Sequence, residues 1–135
     1  MKAIVALVAL LAVAQAPPYV GPGKVSMKDF KRLAAAQKVL IVDTRSASEF
    51  RDGHIPRAIS LPFTVSRRPA EYDATVEALK AATKPIVFYC ACRGETQSIR
   101  AADALSEEGV KDTRVLVGGW NVWFNDGNRI AKGPK

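Results

Sequence analysis

Two cysteines one residue apart, Cys90 and Cys92, stand where an apolar and aromatic run, Ile86-Val87-Phe88-Tyr89, gives way to the polar stretch Arg93-Gly94-Glu95-Thr96-Gln97-Ser98. The run has strand composition. Ser98-Ile99-Arg100-Ala101-Ala102-Asp103-Ala104-Leu105 reads as a helix, with Gly109 placed to end it. Cys92 therefore falls in a loop between strand and helix, where free backbone N–H groups and the positive end of the helix dipole converge. Such a site favours thiolate over thiol, and the thiolate is the nucleophile. The same donors attract anions, so the chemistry expected here is attack by sulfur on an anionic or polarised partner.

The remaining elements must hold that loop. Ser26 with Asp29 three residues on forms a capping-box pattern, and Phe30, Leu33 and Ala34 give the helix behind it an apolar face. Val39-Leu40-Ile41-Val42 is apolar at consecutive positions, as in a strand covered on both sides, and Asp43-Thr44-Arg45 closes it. A short helix is expected from Ser46 to Phe50, then a turn at Asp52-Gly53 and a short strand at Ile59-Ser60-Leu61-Pro62. The spacing of Val76, Leu79 and Ala82 predicts a helix from Asp73 to Ala82, and Pro85 marks its end. A strand at Arg114–Val117 and a helix through Trp120 and Trp123 complete the series. Strands alternating with helices predict an α/β fold, a central parallel sheet of about five strands with helices on both faces. Sites in such sheets form at the carboxyl ends of strands, which is where Cys92 lies.

With 135 residues the chain suits one domain. Its formal charge of +7, from 20 Lys and Arg against 13 Asp and Glu, is scattered rather than gathered, which argues for mild steering of small anions and against a nucleic-acid groove. After Met1-Lys2 an uncharged apolar stretch runs from Ala3 to Ala14, followed by Gln15-Ala16-Pro17-Pro18. It falls short of the ~20 apolar residues that span a bilayer, and its positive start and small-residue end fit a cleavable secretory signal. Ala12-Val13-Ala14 and Ala14-Gln15-Ala16 both suit cleavage, and the second leaves Pro17 just past the cut, so residues 1–14 are taken as signal peptide and the mature chain as periplasmic or secreted. An uncleaved N-terminal anchor is the alternative. Residues 15–24 read as a linker or edge segment and 25–132 as the domain. In an exported chain two cysteines suggest a disulfide, yet a bridge across a single residue makes a small strained ring, expected to form only reversibly.

Three segments together resemble the single-domain rhodaneses, a sulfurtransferase family. Val39–Arg45 followed by Glu49-Phe50 and Gly53-His54-Ile55-Pro56-Arg57-Ala58-Ile59 is similar to that family's strand, Asp-x-Arg and Gly-His-Ile-x-x-Ala signature. Tyr89 to Ala102 resembles its active loop, and Leu116-Val117-Gly118-Gly119-Trp120 with Trp123 and Gly127 resembles its closing segment. The family's loop places the cysteine first in a six-residue cradle ahead of a serine that starts the helix. Counting back from Ser98, the resemblance implies Cys92 as nucleophile, Arg93, Gly94, Glu95, Thr96, Gln97 and Ser98 as the substrate-binding loop, and Cys90 inside the strand. Asp43, Arg45 and Arg100 are expected in support, His54 in a structural turn, and Cys90 either in the core or as a resolving thiol. One departure stands out: many rhodaneses carry arginine where this chain has Gln97, and Glu95 adds a negative charge, so the loop is about neutral and modest affinity for a dianion is expected.

The resemblance implies a sulfurtransferase that takes sulfur from thiosulfate or a persulfide onto Cys92 and passes it to a thiol, cyanide or a protein acceptor. No metal or organic cofactor is called for, and neither nucleic acid nor a stable membrane span is expected. A phosphatase on the same fold needs an arginine six residues past its cysteine, where this chain has Ser98 after Cys92 and Thr96 after Cys90. Arsenate reduction is disfavoured less strongly. A binding or redox module that keeps the fold without turnover is the other class left open.

Overall fold

The computed structural model describes residues 21–63 and 70–134; the proposed signal segment and most of the linker lie outside the described residues. Five strands, β1 (Gly23–Val25), β2 (Leu40–Asp43), β3 (Ile59–Ser60), β4 (Ile86–Tyr89) and β5 (Thr113–Leu116), form one sheet. Their order is β1-β5-β4-β2-β3, and every pairing is parallel. The helices are α1 (Met27–Ala35), α2 (Ala47–Asp52), α3 (Ala70–Lys80), α4 (Thr96–Glu107) and α5 (Gly119–Asn125). β1, which begins in the segment read as a linker or edge and ends at the first residue read as domain, is an edge strand paired to β5.

Side-chain alternation along the strands sorts the core into two layers. On one face Val87 and Tyr89 of β4 pack with Ile41, Leu116, Phe30 of α1, Phe50 of α2 and Trp123 of α5. On the other, Ile86 and Phe88 pack with Val42, Val115, Val76 and Leu79 of α3, and Ala101, Ala102 and Leu105 of α4. β4, covered on both faces, is wholly buried, which explains its unbroken apolar run. Ser26 caps α1 by accepting from the Asp29 N–H, as its capping pattern suggested.

Several boundaries differ from the sequence reading: β2 and β5 shift by one residue, β3 stops at Ser60, and three helices differ at their ends. α3 is already helical at Ala70, three residues before the expected start, because Tyr72, four residues before Val76, extends its buried face and Glu71 and Asp73 suit a helix N-terminus; it ends at Lys80, two residues short of Ala82. α4 begins at Thr96 rather than Ser98, after a 3₁₀ turn over Arg93–Glu95. α2 runs to Asp52 rather than Phe50, and its last turn is closed by the Gly53 N–H on the Glu49 carbonyl.

The connection from β2 runs to β3 at one edge, whereas that from β4 runs to β5 on the opposite side. The crevice between the carboxyl ends of β2 and β4 is thus the topological switch point, where open α/β sheets place their ligands. Thr44 ties the two ends together, since both its N–H and its hydroxyl donate to the Tyr89 carbonyl at 3.0 Å.

Candidate active site

The loop that leaves β4 curls into the cradle expected of it. Gly94 and Glu95 are both left-handed, with φ of 65° and 56°, and this pair turns the chain sharply into α4. Glycine adopts such a backbone freely; glutamate does so under strain, which its surroundings must offset. The offset is visible: Glu95 Oε1 accepts the Gly118 N–H at 2.9 Å, at the start of α5. Its negative charge is therefore spent on a helix N-terminus and not turned on the cradle, contrary to the expectation from sequence.

Cys92 opens the cradle, partly exposed, and its Sγ accepts the backbone N–H of Gln97 at 3.2 Å. The six residues from Cys92 to Gln97 thus close on the sulfur at the N-terminus of the twelve-residue α4. Gln97, standing where many rhodaneses carry arginine, points away from the sulfur. Its Nε2 donates to the Thr44 carbonyl at 2.7 Å and the Phe63 carbonyl at 3.3 Å, clamping the start of α4 to the ends of β2 and β3. Ser98, assigned to the substrate loop, is completely buried, and its hydroxyl donates to the Glu95 carbonyl, so it braces the turn instead of lining the opening. Thr96 donates to the Arg93 carbonyl. Arg93, Gly94 and Arg100 are exposed at the loop and on α4.

Cys90 follows β4 directly and is 1 % exposed. It is joined to Cys92 by a disulfide, with a Cα–Cα separation of 5.7 Å. The bridge that the sequence allowed as a reversible one is formed here: the chain bends at Ala91, and the two Cα atoms lie within the usual span of ~4.4–6.8 Å. The bend is pinned from α5: the Trp120 N–H donates to the Cys90 carbonyl and Asn121 Nδ2 to the Ala91 carbonyl, each at 2.9 Å. Gly119 permits this approach, for a β-carbon there would collide with the Cys90 carbonyl oxygen, and its φ is +50°. The Gly118-Gly119 pair was the sequence signal for this contact; Asn121 gave none.

Beneath the cradle lies a buried polar network. Asp43 accepts from Arg45 Nη2 and from the Tyr89 hydroxyl, both at 2.6 Å, while Arg45 also donates to the Gly53 carbonyl and the Ile55 N–H donates to Tyr89. Burial opposes the Arg45 charge, but the hydrogen bonds and charge of Asp43 outweigh it and hold the guanidinium above its ordinary range. Burial, reinforced by Asp43, pushes the Tyr89 phenol far up. Arg45 also lies 4.1 Å from the Trp120 ring centroid. These groups satisfy one another and fix the strand ends. Glu49 serves the Ser46 cap, whose hydroxyl hydrogen bond is the main cause of its lowered pKa. His54 is 1 % exposed, stacked on Phe50, with Nδ1 2.7 Å from the Phe50 carbonyl, a structural setting.

Trp123 is in the core, whereas Trp120 is half-buried and lines a cleft of about 420 Å³ with Arg45, Phe124 and Ala91. A larger hollow of about 520 Å³, lined by Lys31, Arg57 and Arg129, reaches neither cysteine. Among the described residues no group of His, Cys, Asp and Glu side chains is arranged to hold a metal, and no helix is long and apolar enough to cross a membrane.

A parallel five-stranded sheet with a cysteine-headed cradle at its switch point agrees with comparison to known proteins: residues 26–126 match the rhodanese-like domain, and the chain belongs to that family. It is similar to a thiosulfate:glutathione sulfurtransferase of Saccharomyces cerevisiae, 29% identical over 113 residues that cover 76% of this chain and 78% of the relative. Among solved structures, a human single-domain sulfurtransferase superposes with a TM-score of 0.60 at 24% identity, covering 80% of this chain and all (100%) of the other. A thiosulfate sulfurtransferase from Pseudomonas aeruginosa superposes with a TM-score of 0.64 at 26% identity, covering 82% of this chain and 20% of the other.

Proposed function

We propose that this protein is an exported sulfurtransferase working by double displacement through a Cys92 persulfide. The observation that carries the reading is the closed cradle, in which the Gln97 N–H rests on Cys92 Sγ at the N-terminus of α4. With the Cys90–Cys92 pair reduced, the Cys92 thiolate attacks the outer sulfur of thiosulfate. The sulfur–sulfur bond breaks and sulfite leaves with its electron pair. The persulfide left on Cys92 carries negative charge near neutral pH, and the cradle N–H groups stabilise it as they do the thiolate. A thiolate acceptor then attacks the outer sulfur and releases Cys92 for another turn.

The yeast relative's name joins thiosulfate to glutathione, which supports a thiosulfate donor and a small thiol acceptor here. With Glu95 engaged by Gly118, Arg93 and the helix N-terminus set the charge a dianion meets at the opening. Export rests on residues 1–14. Steady-state assay of the reduced protein with thiosulfate and glutathione, following sulfite, tests the reading. Parallel double-reciprocal lines, the signature of a covalent sulfur-carrying intermediate, are expected; sulfite release requiring both substrates bound at once, or none above the Cys92→Ser background, contradicts it.

A further inference from the structure

We propose that Cys90 resolves the Cys92 persulfide, so that the protein also discharges its sulfur as hydrogen sulfide, closing the Cys90–Cys92 disulfide and reopening it with a dithiol reductant. The inference rests on the persulfide reading above and adds a second fate for the carried sulfur.

The two cysteines occupy different environments suited to different tasks. Cys92 is partly exposed and meets outside reagents, whereas Cys90 is 1 % exposed. Within its reach Cys90 has one sulfur partner, Cys92, to which it is bonded in this structure. The bend that brings them together is held independently of the bridge, by Trp120 N–H on the Cys90 carbonyl and Asn121 Nδ2 on the Ala91 carbonyl. Opening the disulfide therefore leaves the sulfurs close, and an attack within the chain gains the advantage of prior alignment. Ser98 completes the arrangement. Its Oγ lies 3.5 Å from Cys90 Sγ and gives its own hydrogen to the Glu95 carbonyl, leaving a lone pair to accept the S–H of a reduced Cys90. The resolving group thus waits as an aligned thiol beside the cradle instead of competing with Cys92 for donor.

The step balances without any outside oxidant. Cys90 sulfur attacks Cys92 Sγ; the Cys90–Cys92 bond forms as the bond from Cys92 Sγ to the outer sulfur breaks. The outer sulfur leaves with the electron pair; the Cys90 proton makes it hydrosulfide, and a proton from water completes hydrogen sulfide. Two electrons have passed from the cysteine pair to the sulfane sulfur. To recycle, a dithiol attacks Cys92 Sγ, the more exposed of the two, Cys90 departs and is protonated, and the second thiol releases the reductant as its own disulfide.

The test loads the reduced full-length protein with thiosulfate or, separately, with inorganic polysulfide, removes excess reagent, and follows intact mass and free sulfide without any thiol acceptor. Wild type is expected to lose its added sulfur, release one sulfide per chain and end with both cysteines refractory to alkylation. Cys90→Ser and Cys90→Ala, checked for folding by thermal melting, are expected to hold the added sulfur at least about tenfold longer. Equal persulfide lifetimes in wild type and folded variants overturn the proposal. Should neither variant fold, wild type alone decides: sulfide matched by loss of two alkylatable thiols supports it, and sulfide release with both thiols intact overturns it. Normal discharge after polysulfide loading, with no loading from thiosulfate, sinks the donor proposed above and supports the resolving role. If neither reagent adds sulfur, both readings fall.

Discussion

Replacing Gln97 exposes how the cradle is held. Its Nε2 makes a bond of 2.7 Å to the Thr44 carbonyl and a longer one of 3.3 Å to that of Phe63. Gln97→Ala removes both, at about 0.5–1.5 kcal/mol each with the longer bond at the low end, so about 1–2 kcal/mol in all. The loss stays moderate because Thr44 O keeps a second donor, the Phe63 N–H at 3.1 Å. Gln97→Glu is worse: it turns an anion toward two carbonyl oxygens where a donor stood, and the cost rises to about 3 kcal/mol. The extra cost depends on pH. The new carboxyl, facing acceptors, has its folded-state pKa raised above its unfolded value, so its protonated form regains a donor at low pH and stability falls as pH rises through that range. Urea unfolding of the reduced proteins at acid and neutral pH measures this. Because the Gln97 N–H rests on Cys92 Sγ, a loosened α4 start also slows sulfur loading, by about tenfold for a loss near 1.4 kcal/mol. Gln97→Glu matching Gln97→Ala in stability at every pH would refute the clamp.

Two further outcomes follow from the same structure. Tyr89 has its phenol held far above the ordinary range by burial and then by Asp43, so stability is full below about pH 10 and declines as pH rises beyond it, with a slope near 1.4 kcal/mol per pH unit from this group; Tyr89→Phe, followed by alkaline urea unfolding, should flatten that slope, and an unchanged slope contradicts the assignment. N-terminal sequencing of protein from its native host should begin at Gln15, and recovery of a soluble chain still carrying Met1 would remove the export proposal.

Much of the fold was legible in local pattern. Consecutive apolar residues at Val39–Val42 and Ile86–Tyr89 marked strands buried on both faces, and Ser26 with Asp29 marked the start of α1, because these signals act within a few residues. The cradle was legible as far as Cys92 and its glycine. What its polar side chains do was not. Gln97 reaches carbonyls 53 and 34 residues away, and Glu95 an N–H 23 residues away, so their partners exist only after the sheet has assembled. Summing Arg93 and Glu95 as charges within one loop therefore misread a carboxylate that caps α5. What pins the cysteine pair was likewise out of reach: the bend at Ala91 is held from α5 through Trp120 and Asn121, each bonded to a carbonyl 30 residues away.

The central claim is that Cys92 carries the sulfur, and one comparison bears on it most directly. Wild type, Cys92→Ser and Cys90→Ser are reduced, treated with thiosulfate, quenched at short times and weighed intact, with sulfite measured in the same samples. Wild type and Cys90→Ser should each gain one sulfur for every sulfite released, and Cys92→Ser should gain none, since a hydroxyl is a far weaker nucleophile and cannot hold a persulfide. Loading of Cys92→Ser at the wild-type level, with none on Cys90→Ser, would move the nucleophile by two residues and contradict the cradle as the seat of the chemistry.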